Sequence, residues 1–155
     1  MKIRKVLISD FEDILRLQLQ LEDTEVVFDN NLVNHFYDAE DGRKKLKKRI
    51  RSKSNIFYVM EDNDKVIGFV DGNVPNDEWW YKEKVAYMNH LCVDSSYRKQ
   101  GVATKLVSEF EKSARELGAI DIRLLAFPNN KPAISFYKKN GFSEYSVYYN
   151  KRLKK

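Results

Sequence analysis

Leu91-Cys92-Val93-Asp94-Ser95-Ser96-Tyr97-Arg98-Lys99-Gln100-Gly101-Val102-Ala103 is the stretch around which this chain is organised. An apolar strand ends at Val93, a polar turn follows, and Arg98, Lys99 and Gln100 lead into Gly101 and an apolar-periodic segment that runs to Leu117. Strand, glycine-bearing loop and helix follow one another. A helix start offers backbone N–H groups and the positive end of a helix dipole, which suit a phosphate. On the local pattern alone, a glycine beside basic residues is common, and most such loops bind nothing.

Upstream, Ile3 to Ile8 reads as a strand. Ser9 and Glu12 read as a capping box that opens a helix carrying Phe11, Ile14, Leu15, Gln18 and Leu21 and ending near Glu22. Glu22, Asp23, Glu25 and Asp29 make an acidic loop, and Asn30 to Phe36 starts a second helical piece. In residues 43–53, eight of eleven side chains are Lys or Arg. Leu46 and Ile50, four apart, give that segment one inward side, so the charges read mainly as a solvated helix face. Ile56 to Glu61 and Lys65 to Val74 form a hairpin about Asp62-Asn63-Asp64, with Gly68 and Gly72 marking a bulge or a close backbone approach. The loop Pro75 to Glu83 carries Trp79, Trp80 and Tyr81.

Val85 to Val93 is a central strand interrupted by Asn89 and His90, one on each face. Val102, Leu106, Val107, Phe110, Ala114 and Leu117 line the buried stripe of the next helix, which Gly118 ends. Ile120 to Phe127 is a further strand. Asn130 caps a helix from Lys131 to Lys139, and Pro132 is tolerated in its first turn. Phe142 to Leu153 supplies a last strand or two.

At 155 residues the chain suits one domain, residues 1–155, with one core. A net charge of +5 permits acidic partners without demanding nucleic acid. The basic run lacks the interleaved aromatics that base stacking uses. One cysteine excludes an internal disulfide, and with only two histidines a structural zinc site is not expected. No apolar run approaches the roughly 20 residues of a membrane span, and the N-terminus does not read as a signal peptide, so the cytoplasm is the expected compartment.

Arg98-x-x-Gly101-x-Ala103 resembles the Gln/Arg-x-x-Gly-x-Gly/Ala signature of the GNAT superfamily of N-acetyltransferases. The stretch from Asn130 to Phe142, Asn-Lys-Pro-Ala-Ile-Ser-Phe-Tyr-Lys-Lys-Asn-Gly-Phe, resembles that family's second block. The resemblance implies an α/β fold: a mixed, mostly antiparallel twisted sheet with a splayed central parallel strand pair and helices on both faces. The splayed strands would be Val85 to Val93 and Ile120 to Phe127. It also implies acetyl-CoA as co-substrate. Leu91, Cys92 and Val93 would meet the thioester arm through their backbone. Arg98, Lys99, Gln100, Gly101, Val102 and Ala103 would hold the pyrophosphate. Asn130 and Tyr137 would complete the cofactor side. Lys99 stands where many relatives carry another glycine.

The implied reaction is direct attack of a primary amine on the thioester. Tyr137 matches the tyrosine that protonates the departing sulfur. Several relatives carry a glutamate base on the strand equivalent to Val85 to Val93, and this strand has none. His90 is chemically suited to the task. Tyr87 as a water relay, Glu83, and a water chain without a base stay open. Cys92 reads as packing rather than as a nucleophile. The acceptor is a small amine, a polyamine, an aminoglycoside, an amino acid or a peptide N-terminus. Trp79, Trp80 and Tyr81 would wall the acceptor side, with Glu22, Asp23 and Glu25 offering charge. A homodimer stays open. The competing readings are a non-catalytic acyl-CoA-binding or regulatory module of the same fold, and a nucleic-acid-binding protein using the basic run.

Overall fold

The computed structural model describes residues 1–76, 78–79 and 81–153. It groups into two compact units, Met1–Leu125 and Ala126–Lys155. The first unit is built on a five-stranded sheet in the order β1-β2-β3-β4-β5, with β1 Lys2–Lys5, β2 Asn55–Asp62, β3 Lys65–Asn73, β4 Val85–Val93 and β5 Asp121–Arg123. Every pairing is antiparallel except β4 with β5. The β2–β3 hairpin turns on Asn63 and Asp64, both at positive φ, as a two-residue turn that follows strand twist requires.

Helix α1, Phe11–Glu25, and helix α2, Glu40–Arg51, pack on one sheet face. Phe11, Ile14, Leu15 and Leu17 of α1 and Leu46 and Ile50 of α2 join Phe57, Val59, Phe69 and Cys92 in a single apolar cluster. Helix α3, Val102–Glu116, covers the other face with Val102, Leu106, Val107, Phe110 and Ala114, all buried. Each large apolar side chain so buried contributes about 1.5–3 kcal/mol. Gly68 and Gly72 make room there. A Cβ on Gly72 would stand 1.9 Å from the Tyr87 carbonyl oxygen and 2.8 Å from the Phe110 ring. Leu117, expected in the buried stripe, is 49 % exposed, because α3 closes at Glu116 and Gly118 turns the chain at φ 85°.

Four local expectations are corrected. Asp10, not Ser9, organises the entry to α1: its carboxylate accepts the Leu7 N–H at 2.7 Å and two Arg4 N–H groups at 2.8 and 2.9 Å. A charged acceptor facing a fixed guanidinium outcompetes a neutral hydroxyl. Phe36–Asp38, rather than Asn30 to Phe36, forms the next helical piece, as a short 3₁₀ turn ahead of α2. β5 spans only Asp121–Arg123, and Phe142 to Leu153 forms no strand among the described residues. A strand needs a ladder partner, and the β4–β5 ladder stops at Tyr87↔Arg123.

That stop coincides with a bulge. Asp71 opposes His90, yet Gly72 opposes Met88, so Asn89 is an extra residue on β4. A bulge bends its strand and increases the local twist. β4 therefore leaves β5 and continues to Val93 beside β3, which is the splay. The second unit holds α4, Lys131–Lys139, whose first turn is capped by the Asn130 side chain accepting the Ala133 N–H at 3.2 Å.

Gly72→Ala tests the close approach of β3, β4 and α3. Backbone cannot retreat as a flexible side chain does, so the variant should lose about 3 kcal/mol of unfolding free energy or fail to fold. Urea denaturation measures it; a loss under about 0.5 kcal/mol would contradict the packing described.

Candidate active site

Asp94 turns the chain between β4 and α3. It accepts from the Ser96 hydroxyl at 2.6 Å and the Ser96 N–H at 3.1 Å, and its other oxygen takes an Arg16 N–H at 2.6 Å. Ser96 chiefly, with Arg16 and against the effect of burial, holds the Asp94 carboxyl down at about 2. After a 3₁₀ turn over Ser95–Tyr97, Lys99 and Gly101 take positive φ, 61° and 78°. Glycine meets this conformation without Cβ strain. A Cβ on Gly101 would find no atom of the described residues within 4 Å, so the space before the helix is open among them.

The amides of Val102, Ala103 and Thr104 open α3 and have no intrahelical acceptor. Arg98, Lys99 and Gln100 are exposed beside them. Arg98 Nε donates to the Val93 carbonyl at 3.3 Å, and Gln100 Nε2 donates to the Ser96 carbonyl at 3.2 Å, which stiffens the loop. Open space, first-turn amides and two cations fit a pyrophosphate.

Leu91, Cys92 and Val93 lie on the part of β4 that has left β5. Val93 O also accepts Gln20 Nε2 at 3.1 Å. The Cys92 thiol is buried, donates to the Leu17 carbonyl at 3.2 Å, and is pushed by burial up to about 12. A thiol in that state is not a nucleophile at neutral pH.

His90 projects to the face covered by α1 and α2. Its Nδ1 is 2.8 Å from Asp71 Oδ1, and Asp71 is 1 % exposed. Arg49 reaches the same carboxylate, Nε to Oδ2 at 3.0 Å. That N–H is not aimed along the line to the oxygen, so the contact is an ion pair rather than an aligned hydrogen bond. Arg49 thus departs from the solvated face expected of the basic run: it turns inward and donates to Gln18 Oε1 at 2.8 Å and the Tyr37 hydroxyl at 3.1 Å. Lys44, Lys47, Lys48 and Arg51 remain exposed and line, with Ser52, a shallow hollow of about 500 Å³ that shares no residue with β4 or the start of α3.

Tyr87 donates its hydroxyl to Glu78, at 2.8 and 3.0 Å. Burial first, and Glu78 with it, push this phenol up to about 12, so its hydroxyl keeps the proton that it donates to Glu78. The bond anchors the aromatic loop to β4. Trp79 is 85 % exposed, Tyr81 lies under the Arg123 guanidinium at 4.0 Å, and Trp80 and Asp77 lie outside the described residues.

The acidic segment divides. Glu22 is buried and accepts the Tyr37 N–H at 3.4 Å, Asp23 pairs with His35 Nε2 at 2.8 Å, and Glu25 is half-buried on α1. Burial raises both Glu22 and Glu25 above the ordinary carboxyl range. Within the second unit, Tyr137 is half-buried on α4, packed edge-on against Phe136 and Phe142 with ring centroids 5.4 and 5.6 Å away. No helix among the described residues is long and apolar enough to cross a membrane, and no metal-ligating cluster occurs among them.

Comparison with known proteins decides the family. Residues 15–142 match the model of the acetyltransferase (GNAT) family. The chain belongs to that family. It is 33 % identical over 98 residues to human N-acetyltransferase 8, covering 63 % of this chain and 43 % of that protein. It is 30 % identical over 100 residues to the N-alpha-acetyltransferase of Sulfurisphaera tokodaii, covering 59 % and 58 %. The chain therefore spans only about half the length of these relatives. Among solved structures, the BH1408 protein of Bacillus halodurans superposes with a TM-score of 0.85 at 17 % identity, over 99 % and 100 % of the two chains. The aminoglycoside N-acetyltransferase AAC(6')-Iy in complex with CoA superposes with a TM-score of 0.71 at 18 % identity, over 98 % and 100 %. Both likenesses establish the GNAT fold.

Sequence reading passed over Asp71, Arg49, Asp94 and Glu78. Asp71 carried a signal, a carboxylate inside an apolar strand. Arg49 carried none, since seven other cations surround it in residues 43–53.

The depressed Asp94 carboxyl stabilises the fold above its ordinary value of 3.8, and that contribution is lost as pH falls from about 4 to about 2. Asp94→Asn should cost about 2 kcal/mol at pH 7 and progressively less below pH 4. Chemical denaturation at several pH values reads this; a constant difference would remove Asp94 from the acid response.

Proposed function

We propose that this GNAT protein transfers an acetyl group from acetyl-CoA to a primary amine by direct attack, with residues 1–155 acting as one catalytic domain. The observation that carries the reading is the open, cation-flanked start of α3 placed immediately after the end of β4 that has left its parallel partner. Gln100 to Ala103 would take the pyrophosphate on backbone amides beside Arg98 and Lys99. Leu91 to Val93 would offer backbone groups to the pantetheine arm and the thioester carbonyl. Asn130 both caps α4 and marks the family's second block.

In the reaction the amine nitrogen forms a bond to the carbonyl carbon and the carbon–sulfur bond breaks. The amine loses a proton to His90, and the departing thiolate takes one from the Tyr137 hydroxyl. By reference values a phenol, ~10, can donate to a thiolate whose acid is near ~8.5. The acceptor class is a small amine, polyamine, aminoglycoside, amino acid or peptide N-terminus. An AAC(6')-type neighbour makes aminoglycosides a natural first member of the panel. The chemistry needs no membrane, and the cytoplasm, where acetyl-CoA is made and used, is the proposed compartment.

Calorimetry should show binding of CoA and acetyl-CoA in preference to adenosine nucleotides lacking pantetheine. Replacing Gly101 with a bulky residue should weaken it strongly while the fold persists at some backbone strain, since the residue sits at φ 78° but no atom of the described residues lies in the way of the new side chain. Thiol release with the amine panel then tests turnover. Tight CoA binding with no thiol release would favour a non-catalytic binding module, and no CoA binding by the folded protein would refute the proposal.

Tyr137→Phe keeps the ring and removes the proton donor. kcat should fall by roughly 10²–10⁴-fold with little change in acetyl-CoA affinity. Near-normal kcat, where chemistry limits turnover, would exclude Tyr137 as the acid. A change in affinity or melting temperature as large as the change in rate would make its hydroxyl structural.

A further inference from the structure

His90 reaches into a polar cluster that the apolar pattern of the sheet does not call for. Asp71 stands directly opposite it on β3, in a strand whose neighbouring positions, Val70 and Phe69, are fully buried. A carboxylate at 1 % exposure is stable only if charged partners meet it. Arg49, with a guanidinium that stays charged in proteins, supplies one. The pair leaves Asp71 ionised, and an ionised carboxylate can only accept. At 2.8 Å the hydrogen between Asp71 Oδ1 and His90 Nδ1 therefore belongs to the ring.

We propose that Asp71 is a positioning residue that holds His90 as the Nδ1–H tautomer, so that Nε2 faces the acceptor amine as the proton-accepting atom, with Arg49 locking Asp71 in place. The proposal rests on the amine acetyltransferase reading.

The rest of the cluster supports that assignment. Arg49 Nη1 lies 3.3 Å from Nδ1 and 3.4 Å from Nε2. An atom almost equidistant from two ring nitrogens cannot line up with both of their diverging in-plane directions. Arg49 therefore lies against the ring as a cation and does not cap Nε2. It is itself held by Gln18 and Tyr37 and by the rings of Tyr37, Phe57 and Phe69, 5.2 to 5.9 Å from its guanidinium carbon. Among the described residues, the charged groups that meet His90 are Asp71 from β3, Arg49 from α2 and Glu25 from α1.

Position completes the case. The bulge at Asn89 leaves His90 opposite Asp71, in the stretch of β4 that has left β5, and a quarter of its side chain is exposed. Asp71 and Arg49 thus act through His90 rather than on the substrate.

The test is a ¹⁵N–¹H spectrum of the full chain labelled at the imidazole nitrogens. The chain has two histidines, so His35→Gln assigns His90 by subtraction. Above the pH at which the ring titrates, His90 should show a protonated Nδ1 and a bare Nε2. A protonated Nε2 in the wild type overturns the proposal, with or without an active enzyme.

Kinetics give the second reading. Asp71→Asn offers an amide donor to Nδ1 and reverses the tautomer. kcat with an alkyl amine that is protonated at neutral pH should fall roughly 10²–10⁴-fold at unchanged acetyl-CoA affinity. With an aromatic amine already neutral at that pH the loss should stay below about tenfold. Equal losses for both amines, or no loss for either, overturn the positioning role. Should Asp71→Asn fail to fold because it strands the Arg49 charge, the wild-type spectrum and the double variant Arg49→Gln, Asp71→Asn carry the same test. A wild type that acetylates no amine refutes the proposed function, and the tautomer is still decided by its spectrum.

Discussion

β4 has to satisfy two neighbours, and it cannot satisfy both along its whole length. It pairs with β3 from Tyr87 to Val93, but the extra residue Asn89 changes its direction after only three pairs with β5. Backbone N–H and C=O groups that lose a ladder partner need another. Part of the cost is met inside the chain, where the Val93 carbonyl takes Gln20 from α1 and Arg98 from the following loop. The same departure brings the strand end, the Asp94 turn and the open start of α3 into sequence. A sheet without the bulge would have carried β5 further and closed the opening.

The second constraint is electrostatic. Asp71 and Arg49 sit where the sheet face, α1 and α2 otherwise pack Phe57, Phe69, Leu46 and Ile50 together. Removing two charges from water costs several kcal/mol each, and their mutual attraction repays that only when further partners meet them. Gln18, Tyr37 and His90 are those partners. An apolar trio would serve stability at least as well, so the network is better explained by what it does to His90. Arg16 and Asp94 are organised differently: their pair is near the surface of α1 and fixes a turn rather than a functional side chain.

Membership of the GNAT family accounts for the strand–loop–helix core and leaves room for departures at the edges. Lys99 adopts φ 61° without being a glycine, so the loop before α3 carries some backbone strain. β5 is a three-residue strand with a single neighbour, and the tyrosine-rich stretch after Phe142 forms no strand among the described residues.

Much of the architecture was legible in the chain because it is local. The α3 stripe, the Asn63-Asp64 turn, the Asn130 cap and the glycine before α3 each depend on residues within a few positions of one another, and propensity and spacing report such relations directly. Even local signals failed where a distant charge intervened, as when Arg4 drew Asp10 into the role expected of Ser9. The candidate base could be nominated from residue type, but its surroundings could not. His90 meets Asp71 across 19 positions and Arg49 across 41, and Arg16 meets Asp94 across 78. Which one of eight neighbouring cations turns inward depends on where α2 lies over the sheet. By itself the sequence determined the family, the order of elements and the residues that could do chemistry. Only the tertiary structure decided the extent of the splay and the company His90 keeps, because strand register and helix docking set those contacts and neither is written in the local pattern.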